Sequence, residues 1–350
     1  MKILITGMTA TQVNSQKRIV KYTSYPEIYG RCLEKAGHKV TFRPVTVGED
    51  LREYDRVIIG LAPVNALNAK HMFGALWALH LLHKDEIRGA IQMDDWAYRM
   101  VFSGARSMSK DFNKRLYDKS VLMRDHKELV KNTPRFKKAI ESVITNIGDK
   151  FFSNALIISP LLPNGDHTRI LAGTPLTLSS FIPVNVLSGC DWGHWETQSK
   201  NWNPVKRRRV WIHAALPSNK GFAERIKASS WTIEHYGPTA PDKKKLPEYQ
   251  LIQKYWEVEG LIAMPYYHAG SGWCRARFVH AAAMGAVVVC DKREGEVIGP
   301  SYAMTMNEIE KLKPGQLREL AASQSSELRK AVPRELDLVD RLDGVIRNKL

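Results

Sequence analysis

The chain opens on Met1-Lys2-Ile3-Leu4-Ile5-Thr6-Gly7, a compact apolar run that ends at a glycine. A short run of this kind is typical of a strand buried inside a parallel sheet, where both faces are covered. The glycine marks the point at which the chain turns into a loop at the carboxyl end of the strand. The stretch therefore predicts that an α/β sheet begins at residue 2.

The same pattern recurs along the first half of the chain, with helical segments between the strands. Ser24 supplies an N-cap with Glu27 three residues later, and apolar residues follow at helical spacing until Gly37. Further strands are predicted at 38–42, 55–60 and 89–93, and a helix at 72–82. Alternating strands and helices indicate βαβ units and a doubly wound, mostly parallel sheet.

A second series of strands and helices begins near residue 205. Strands are predicted at 205–213, 231–236, 260–265 and 286–290, and helices at 221–229, 252–259 and 278–284. Residues 160–204 are rich in Pro, Gly, Ser and Asn, which suits a domain connection. We therefore expect an α/β protein with two Rossmann-like, doubly wound domains that face a cleft, at residues 1–175 and 176–330.

The last segment, from Pro314 to Leu350, is helical in pattern and charged throughout. Its apolar stripe consists of Leu336, Leu338, Val339, Leu342 and Val345. A stripe of this kind must pack on a neighbouring surface. We assign residues 331–350 to a C-terminal helix that packs back across the domains.

The composition indicates a folded protein with a strong positive charge. Hydrophobic residues make up 44% of the 350 residues and charged residues 25%, which argues against disorder. The 52 Lys and Arg residues outnumber the 36 Asp and Glu residues, so the formal net charge is +16. A molecule with this charge attracts polyanions, and nucleic acid becomes a leading partner class.

The cysteines and the hydropathy pattern restrict the location of the protein. The four cysteines include no Cys-x-x-Cys pair, which argues against a zinc knuckle or a redox motif and for reduced thiols. The apolar run at the N-terminus is too short for a signal peptide, and no stretch is long enough for a membrane span. We expect a cytoplasmic protein with no membrane partner.

Candidate site residues in the first domain are those that follow the strands, where ligands of open α/β sheets gather. The sequence contains no G-x-G-x-x-G after the first strand and no G-x-x-x-x-G-K-[ST], which argues against a nicotinamide enzyme and a P-loop ATPase. Asp94 and Asp95 follow the strand at 89–93, a position that suits a carboxylate accepting a proton from an attacking hydroxyl. Alternatively, they cap the next turn or stay solvated. Glu27 is either a second acid of this cleft or a capping carboxylate.

In the second domain, cations follow two of the predicted strands. Ser218 and Lys220 precede a helix, which places a hydroxyl and an ammonium group beside free backbone amides. Arg275 and Arg277 follow the glycine-rich stretch 270–272, where glycines allow close backbone approach and arginines bind a diphosphate in bidentate fashion. The alternative is that both arginines are surface charges.

The order of these elements resembles that of the GT-B glycosyltransferases and, more narrowly, the phage DNA β-glucosyltransferase family, whose members modify 5-hydroxymethylcytosine in DNA. The matching stretches are short and spread over most of the chain. They are Met1-Lys-Ile with its glycine loop, Glu27-Ile28-Tyr29, Tyr54 to Ile58, the strand ending at Asp94-Asp95, Ile233 to Gly237, and Arg277 to Asp291.

The resemblance implies roles for several of these residues. The catalytic base of the family is an aspartate at the end of the strand at 89–93, and ungapped spacing from Tyr54 favours Asp95 over Asp94. The family holds the donor diphosphate with cations, and the residues that fall nearest here are Lys220 and Arg277. A single displacement by the acceptor hydroxyl would invert the anomeric carbon.

Further implications concern the nucleotide sugar, which we expect to be UDP-linked. His280 stands where the family has a glutamate that binds the ribose, and Gly237 joins the residues around the nucleotide. Gly7 and Glu27 are assigned to the sugar or acceptor cleft. The resemblance also implies a divalent cation, Mg²⁺ or Mn²⁺, although the sequence contains no separate cluster of metal ligands.

The excess of positive charge predicts a DNA interface. Residues 99–138 combine many cations with interleaved aromatic side chains, which neutralise phosphates and stack where a base is drawn out of the duplex. A solvated helical face is the alternative. The residues assigned to the interface are Arg99, Arg106, Lys110, Lys114, Arg115, Arg207 and Arg208.

These features favour a DNA glycosyltransferase. It would flip a hydroxymethylated cytosine or uracil from duplex DNA and transfer a sugar from a nucleotide donor to its hydroxyl, with an aspartate as general base. The alternatives are a GT-B transferase that acts on a glycan, lipid or small molecule, and a non-catalytic DNA-binding protein. The resemblance also implies a monomer, in the host-cell cytoplasm if the chain is phage-encoded.

Overall fold

Two parallel sheets surrounded by helices make up the fold in the computed structural model. The described residues are 1–7, 25–61, 69–93, 156–159, 161–162, 164–171, 181–183, 207–213, 220–236, 246, 248–263, 269–272, 276–332 and 335–350. Within these ranges, the predicted α/β class is confirmed.

The first sheet has six strands in the order β2-β1-β3-β4-β5-β6, and every neighbouring pair is parallel. The strands are β1 Lys2–Gly7, β2 Lys39–Phe42, β3 Arg56–Leu61, β4 Gly89–Met93, β5 Ile157–Ser159 and β6 Phe181–Pro183. Since β1 lies between β2 and β3, the direction of winding reverses at the β1–β3 pair, as a doubly wound sheet requires.

The second sheet has four parallel strands in the order β10-β9-β7-β8. The strands are β7 Arg207–His213, β8 Thr232–His235, β9 Val258–Ile262 and β10 Val287–Val289. Here the winding reverses at the β7–β9 pair. Both sheets therefore repeat the Rossmann-like arrangement predicted from the sequence.

We number the helices of the described ranges α1 to α10. They are α1 Tyr25–Lys35, α2 Ala69–His83, α3 Thr168–Leu171, α4 Lys220–Ala228, α5 Glu248–Glu257, α6 Ala276–Ala283, α7 Lys292–Ile298, α8 Met306–Glu310, α9 Pro314–Ala331 and α10 Glu335–Asn348, with a 3₁₀ turn at Pro300–Tyr302. None of the helices in this part of the chain combines the length and the apolar composition that a membrane crossing requires.

One strand falls in the region where the sequence predicts only a domain connection. β6 pairs in parallel with β5, so the first sheet includes residues beyond 175, where we expected the first domain to end. A strand of three residues shows no periodic pattern, and Pro183 at its end cannot donate a ladder hydrogen bond. Edge strands as short as this one cannot be predicted from the pattern of apolar and polar residues.

The two faces of the first sheet carry different helices. Ile3, Ile5 and Ile58 share a buried cluster with Tyr29 and Leu33 of α1. α2 packs against β1 and β3 as well, and right-handed crossovers that leave in opposite directions place it on the other face. Both faces of the sheet are therefore covered, which explains the continuous apolar run of β1.

A glycine within β9 makes room for an indole in the second sheet. A Cβ atom at Gly260 would lie 2.1 Å from Cζ3 of Trp211. Trp211 is fully buried and stacks on Trp231, with ring centroids 4.0 Å apart. The glycine thus serves close packing in a strand that is otherwise apolar.

The outer edge of β10 is closed by one side chain. Gln324 of α9 is fully buried, and its Nε2 donates to the carbonyl oxygens of Val288 and Ser301 at 2.9 and 3.0 Å. The backbone N–H of Val288 donates to Oε1 of Gln324 at 2.7 Å. The carboxamide therefore satisfies both backbone groups that a further strand would pair with.

The C-terminal segment forms two helices, α9 and α10, instead of the continuous helical pattern read from the sequence. Pro333 lies between them and cannot continue a helix, so α10 starts at Glu335 and not at residue 331. Leu338 and Leu342 of α10 are buried in a cluster that includes residues of both sheets, and α10 packs directly on α1. The prediction that the C-terminal helix packs back across the domains is confirmed.

A polar contact accompanies this packing. Nε2 of His38 donates to Oδ1 of Asp343 at 2.6 Å, and Nε of Arg347 donates to the same oxygen at 2.7 Å. Burial raises the pKa of Asp343, but the hydrogen bonds from His38 and Arg347 outweigh burial and hold that pKa below its ordinary value.

We predict that Asp343→Asn lowers the free energy of unfolding by about 1 kcal/mol at pH 7, because charge-assisted hydrogen bonds are weakened. A carboxyl group with a lowered folded-state pKa stabilises the protein above its unfolded pKa, and this contribution is lost as the pH falls through the folded pKa. The difference between wild type and variant, measured by urea denaturation, should therefore shrink in acid. Asp340→Asn, at an exposed position of the same helix, is the control and should leave stability unchanged.

Candidate active site

The first half of the candidate site lies at the carboxyl edge of the first sheet, where winding reverses between β1 and β3. Ligands of open α/β sheets bind at such a point, because the connections on its two sides diverge and leave a crevice. The register pairs Gly7 of β1 with Gly60 of β3, and Gly60 with Gln92 of β4. We call Gly7, Gly60 and Gln92 the switch row. It lies on the face that α1 covers, since Gly7 has the same parity as Ile3 and Ile5.

Gly7 fits the switch row because it has no side chain. Its φ of +110° lies in a region that residues with a Cβ atom rarely adopt. A Cβ atom there would lie 2.2 Å from the carbonyl oxygen of Gly60. β1 therefore ends at Gly7, as the sequence predicts, and in close contact with β3.

The predicted acids of the first domain adjoin this edge along the chain. β4 ends at Met93, as predicted, and Asp94 and Asp95 follow directly but lie outside the described residues. Glu27 belongs to the first turn of α1, which begins on the carboxyl side of β1, while its side chain lies outside the described set. The described backbone thus leads from the switch row directly into the acid pair.

The second half of the candidate site is the corresponding edge of the second sheet. His213 at the end of β7 pairs with Ile262 at the end of β9, where the winding reverses. α4 begins at Lys220, after β7, and α6 begins at Ala276, after β9. Since both strands end at the same edge, the amino ends of both helices follow it, with the free amides and positive dipole ends that favour an anion.

Arg277 and His280 lie in the first turns of α6. Arg277 is partly buried, whereas His280 is only 3% exposed. Burial, together with the positive charge of Arg277, lowers the pKa of His280 to about 4, so its imidazole is neutral at pH 7. A neutral ring beside a guanidinium can exchange hydrogen bonds with a ligand without adding a second positive charge.

The glycine-rich turn at 270–272 differs from the expectation. The backbone N–H of Leu162 donates to the carbonyl oxygen of Gly272 at 2.7 Å, and that of Asp166 donates to the carbonyl oxygen of Gly270 at 2.9 Å. A Cβ atom at Gly165 would lie 2.3 Å from Cα of Gly272. The close backbone approach that we expected a diphosphate to use is made here by Leu162, Gly165 and Asp166, which follow β5 of the first sheet.

The remaining predicted residues are reported by position. Arg207 and Arg208 belong to the amino half of β7, at the end of the strand away from His213. The positions outside the described residues are Ser218, Gly237, Arg275, Arg99, Arg106, Lys110, Lys114 and Arg115.

Two further observations concern ligands. Within the described ranges, no group of three or more His, Cys, Asp or Glu side chains is arranged to hold a metal ion. A cavity of about 280 Å³ lies at the amino end of β4, lined by residues that include His83, Arg88 and Gly89. It opens at the edge of the first sheet opposite the switch row, so it is separate from the candidate site.

Sequence reasoning missed Gln92, which is 2% exposed and completes the switch row. The signal was a polar residue inside the otherwise apolar strand Gly89–Met93, directly before the acid pair. A buried polar side chain in such a strand needs a reason, because its hydrogen bonds to water are lost.

Comparison with known proteins reveals the same fold in DNA-modifying enzymes. The DNA-modifying enzyme β-glucosyltransferase, solved with and without uridine diphosphoglucose, matches with a TM-score of 0.57 and 13% identity over 99% of each chain. T4 phage BGT with UDP and Mn²⁺ matches with a TM-score of 0.57 and 14% identity over 99% of this chain and 100% of that chain. An α-glucosyltransferase with UDP-glucose and DNA containing an abasic site matches with a TM-score of 0.51 and 12% identity over 99% and 98%.

No protein-family model matches the chain. No curated protein sequence matches it either. The resemblance of the fold to the GT-B glycosyltransferases is thus shown by structure over nearly the whole chain.

We predict that Gly7→Ala destabilises the protein by about 3 kcal/mol, since a positive φ and a contact with Gly60 combine. Gly37→Ala is the matched control, because Gly37 has a φ of +85° but no atom within 4 Å of the added Cβ. It should cost about 1 kcal/mol for the backbone conformation alone. If urea denaturation gives equal decreases in unfolding free energy for the two variants, the contact with Gly60 contributes nothing and the prediction is wrong.

We predict that His280 makes stability fall between pH 6.5 and pH 4. A histidine with a lowered folded-state pKa binds its proton more tightly in the unfolded chain, so acid favours unfolding by roughly 3 kcal/mol over this range. His280→Gln removes the titration, and its unfolding free energy should depend less on pH than that of wild type. Parallel pH curves for the two proteins would contradict the assignment of a neutral, buried imidazole.

Proposed function

We propose that the chain is a glycosyltransferase that moves a sugar from a UDP-linked donor to the hydroxyl of a hydroxymethylated pyrimidine in duplex DNA. The observation that carries the proposal is the position of the acid pair. In the sequence Asp94 and Asp95 follow Met93, the last residue of β4, and the carboxyl end of β4 lies at the edge where the first sheet reverses its winding. The known proteins with the same fold include one solved with uridine diphosphoglucose and one solved with UDP-glucose and DNA.

The two halves of the site have complementary chemistry. A carboxylate at the edge of the first sheet can accept a proton. At the second sheet, an anion would be stabilised by the amino ends of α4 and α6, where Lys220 and Arg277 lie. Glycosyl transfer from a nucleotide needs both, because the acceptor loses a proton while the leaving diphosphate gains charge. This division supports transfer over simple binding.

The proposed reaction is one displacement. The acceptor oxygen forms a bond to the anomeric carbon as the bond from that carbon to the diphosphate breaks, and Asp95 or Asp94 takes the hydroxyl proton. The electron pair of the broken bond stays on the nucleoside diphosphate, next to Arg277, Lys220 and the helix amides. Attack opposite the leaving group inverts the anomeric carbon.

The positive charge supports DNA as the acceptor. A net charge of +16 favours binding to a polyanion, and the predicted interface residues lie in 99–138 and at Arg207 and Arg208. We propose that the target base is flipped from the duplex, because its hydroxymethyl group would otherwise remain in the groove, away from the acid pair. We also propose that the protein acts as a monomer.

A metal takes no step in this proposal. The proton and the diphosphate charge are handled in it by side chains and helix amides. Mg²⁺ and Mn²⁺ nevertheless belong in the assay, since the resemblance implies a divalent cation and one structure with this fold contains Mn²⁺ with UDP.

We predict that duplexes with hydroxymethylcytosine or hydroxymethyluracil gain the mass of one sugar when incubated with the protein and UDP-glucose or another UDP-sugar. Mass spectrometry of the released nucleosides identifies the base and the sugar together. Substitution of the catalytic general base, by Asp95→Asn or Asp94→Asn, should lower kcat by about 10²- to 10⁴-fold. Binding to duplex DNA should weaken steeply as salt increases.

Asp291→Asn is the matched control. Asp291 also follows a strand, two residues after the end of β10, but it caps α7 by accepting from the backbone N–H of Arg293 at 3.0 Å. Asparagine caps helices as well as aspartate does, so this variant should keep full turnover. Full turnover in both Asp94→Asn and Asp95→Asn would refute the assigned base. Donor hydrolysis without a mass gain on either base would move the acceptor to a glycan, lipid or small molecule.

A further inference from the structure

The strongest unexplained feature of the described residues is the side chain of Gln92. It is 2% exposed, and its Nε2 has no hydrogen-bond acceptor within the described part of the chain. A buried N–H group that loses water without gaining a partner destabilises the folded state. Native proteins keep few such groups, so each one calls for a physical reason.

A second buried glutamine shows what a structural role looks like in this protein. Gln324 is fully buried, and its carboxamide makes hydrogen bonds to Val288 through both Oε1 and Nε2 and to Ser301 through Nε2. These bonds compensate for its burial and close the edge of β10. Gln92 has no such arrangement, so a role in holding the fold together does not account for it.

The surroundings of Gln92 suggest where its partner comes from. In the switch row its neighbour on β3 is Gly60, which has no side chain that could accept a hydrogen bond, and Gly7 of β1 lies beyond it. The row lies at the carboxyl edge, at the reversal of winding where a ligand is expected. Asp94 and Asp95 follow two and three residues later.

We propose that Nε2 of Gln92 donates a hydrogen bond to an oxygen of the molecule bound at the switch row, and so holds it next to the acid pair. This inference rests on the proposed function and names a binding residue for it. The partner is a hydroxyl or carbonyl oxygen, supplied either by the transferred sugar or by the acceptor base. The donor is preformed in a rigid strand, which favours selectivity for a ligand with an oxygen at that place.

The test replaces Gln92 by a side chain of similar size without a donor, Gln92→Met. If the amide serves a ligand, the variant loses an uncompensated polar group, and its melting temperature should stay the same or rise. The same variant should raise KM for either the sugar nucleotide or the DNA acceptor by about five- to tenfold, the value of one hydrogen bond. A rise for the nucleotide identifies the sugar as the partner, and a rise for DNA identifies the base.

Thr6→Val is the matched control. Thr6 lies on β1 and is 1% exposed, and its Oγ1 also has no partner within the described residues. Its side chain points to the opposite face of the sheet from the switch row, because it is one residue away from Gly7. As in Gln92→Met, the melting temperature of this variant should stay the same or rise. Its KM values for the sugar nucleotide and the DNA should equal those of wild type.

The outcomes separate this inference from the proposed function. Wild-type turnover with unchanged KM values in Gln92→Met would overturn the role of Gln92 and leave the proposed function intact. A fall in melting temperature or a failure of Gln92→Met to fold would likewise overturn it, since the amide would then be structural. No turnover by wild type with any donor or duplex would refute the proposed function itself, and this inference with it.

Discussion

Parallel pairing between β1, β3 and β4 is the constraint on which the candidate site depends. In these parallel pairs the residues at the carboxyl ends of the strands lie side by side in rows. Here the row consists of two glycines and a glutamine, at the place where the connections diverge. The same pairing aligns His213 with Ile262 in the second sheet. Each half of the site is therefore a consequence of strand order before any catalytic side chain is considered.

Two sets of contacts join the two sheets. Helix α10 buries its apolar stripe against α1 in a cluster that extends into the second sheet, with the contact between His38 and Asp343 beside it. Leu162 and Asp166, after β5, donate backbone hydrogen bonds to Gly272 and Gly270 in the turn after β9. Backbone contacts at glycines tolerate little change in geometry, because any added Cβ atom would collide with the opposing chain. The residues after β5 therefore hold the first sheet against the second, although their composition predicts only a domain connection.

Much of the fold could be predicted from the sequence because its strands are apolar runs with glycines at their ends. Gly7 ends β1, Gly37 follows the end of α1 by two residues, β3 extends one residue beyond Gly60, and the bounds of β4 agree with the prediction. β5, β6 and the break at Pro333 were missed, since a strand of three residues or a single proline carries little periodic signal. In the site, the sequence pattern correctly predicts that helices begin near Lys220 and Arg277. The burial of His280 and the isolation of Gln92 do not, because both depend on neighbours distant in sequence. The roles of Asp94 and Asp95 remain predictions.

The carboxamide of Gln324 has a consequence beyond the packing of α9. An exposed outer strand offers unpaired backbone groups to any other extended chain, and many proteins associate edge to edge in this way. At Val288 both groups are already occupied by Gln324, and its second donor bond to Ser301 anchors it in place. Another chain could add to β10 only by displacing this side chain. Association of another extended chain through this edge of the second sheet would therefore first cost the hydrogen bonds that Gln324 makes to Val288 and Ser301.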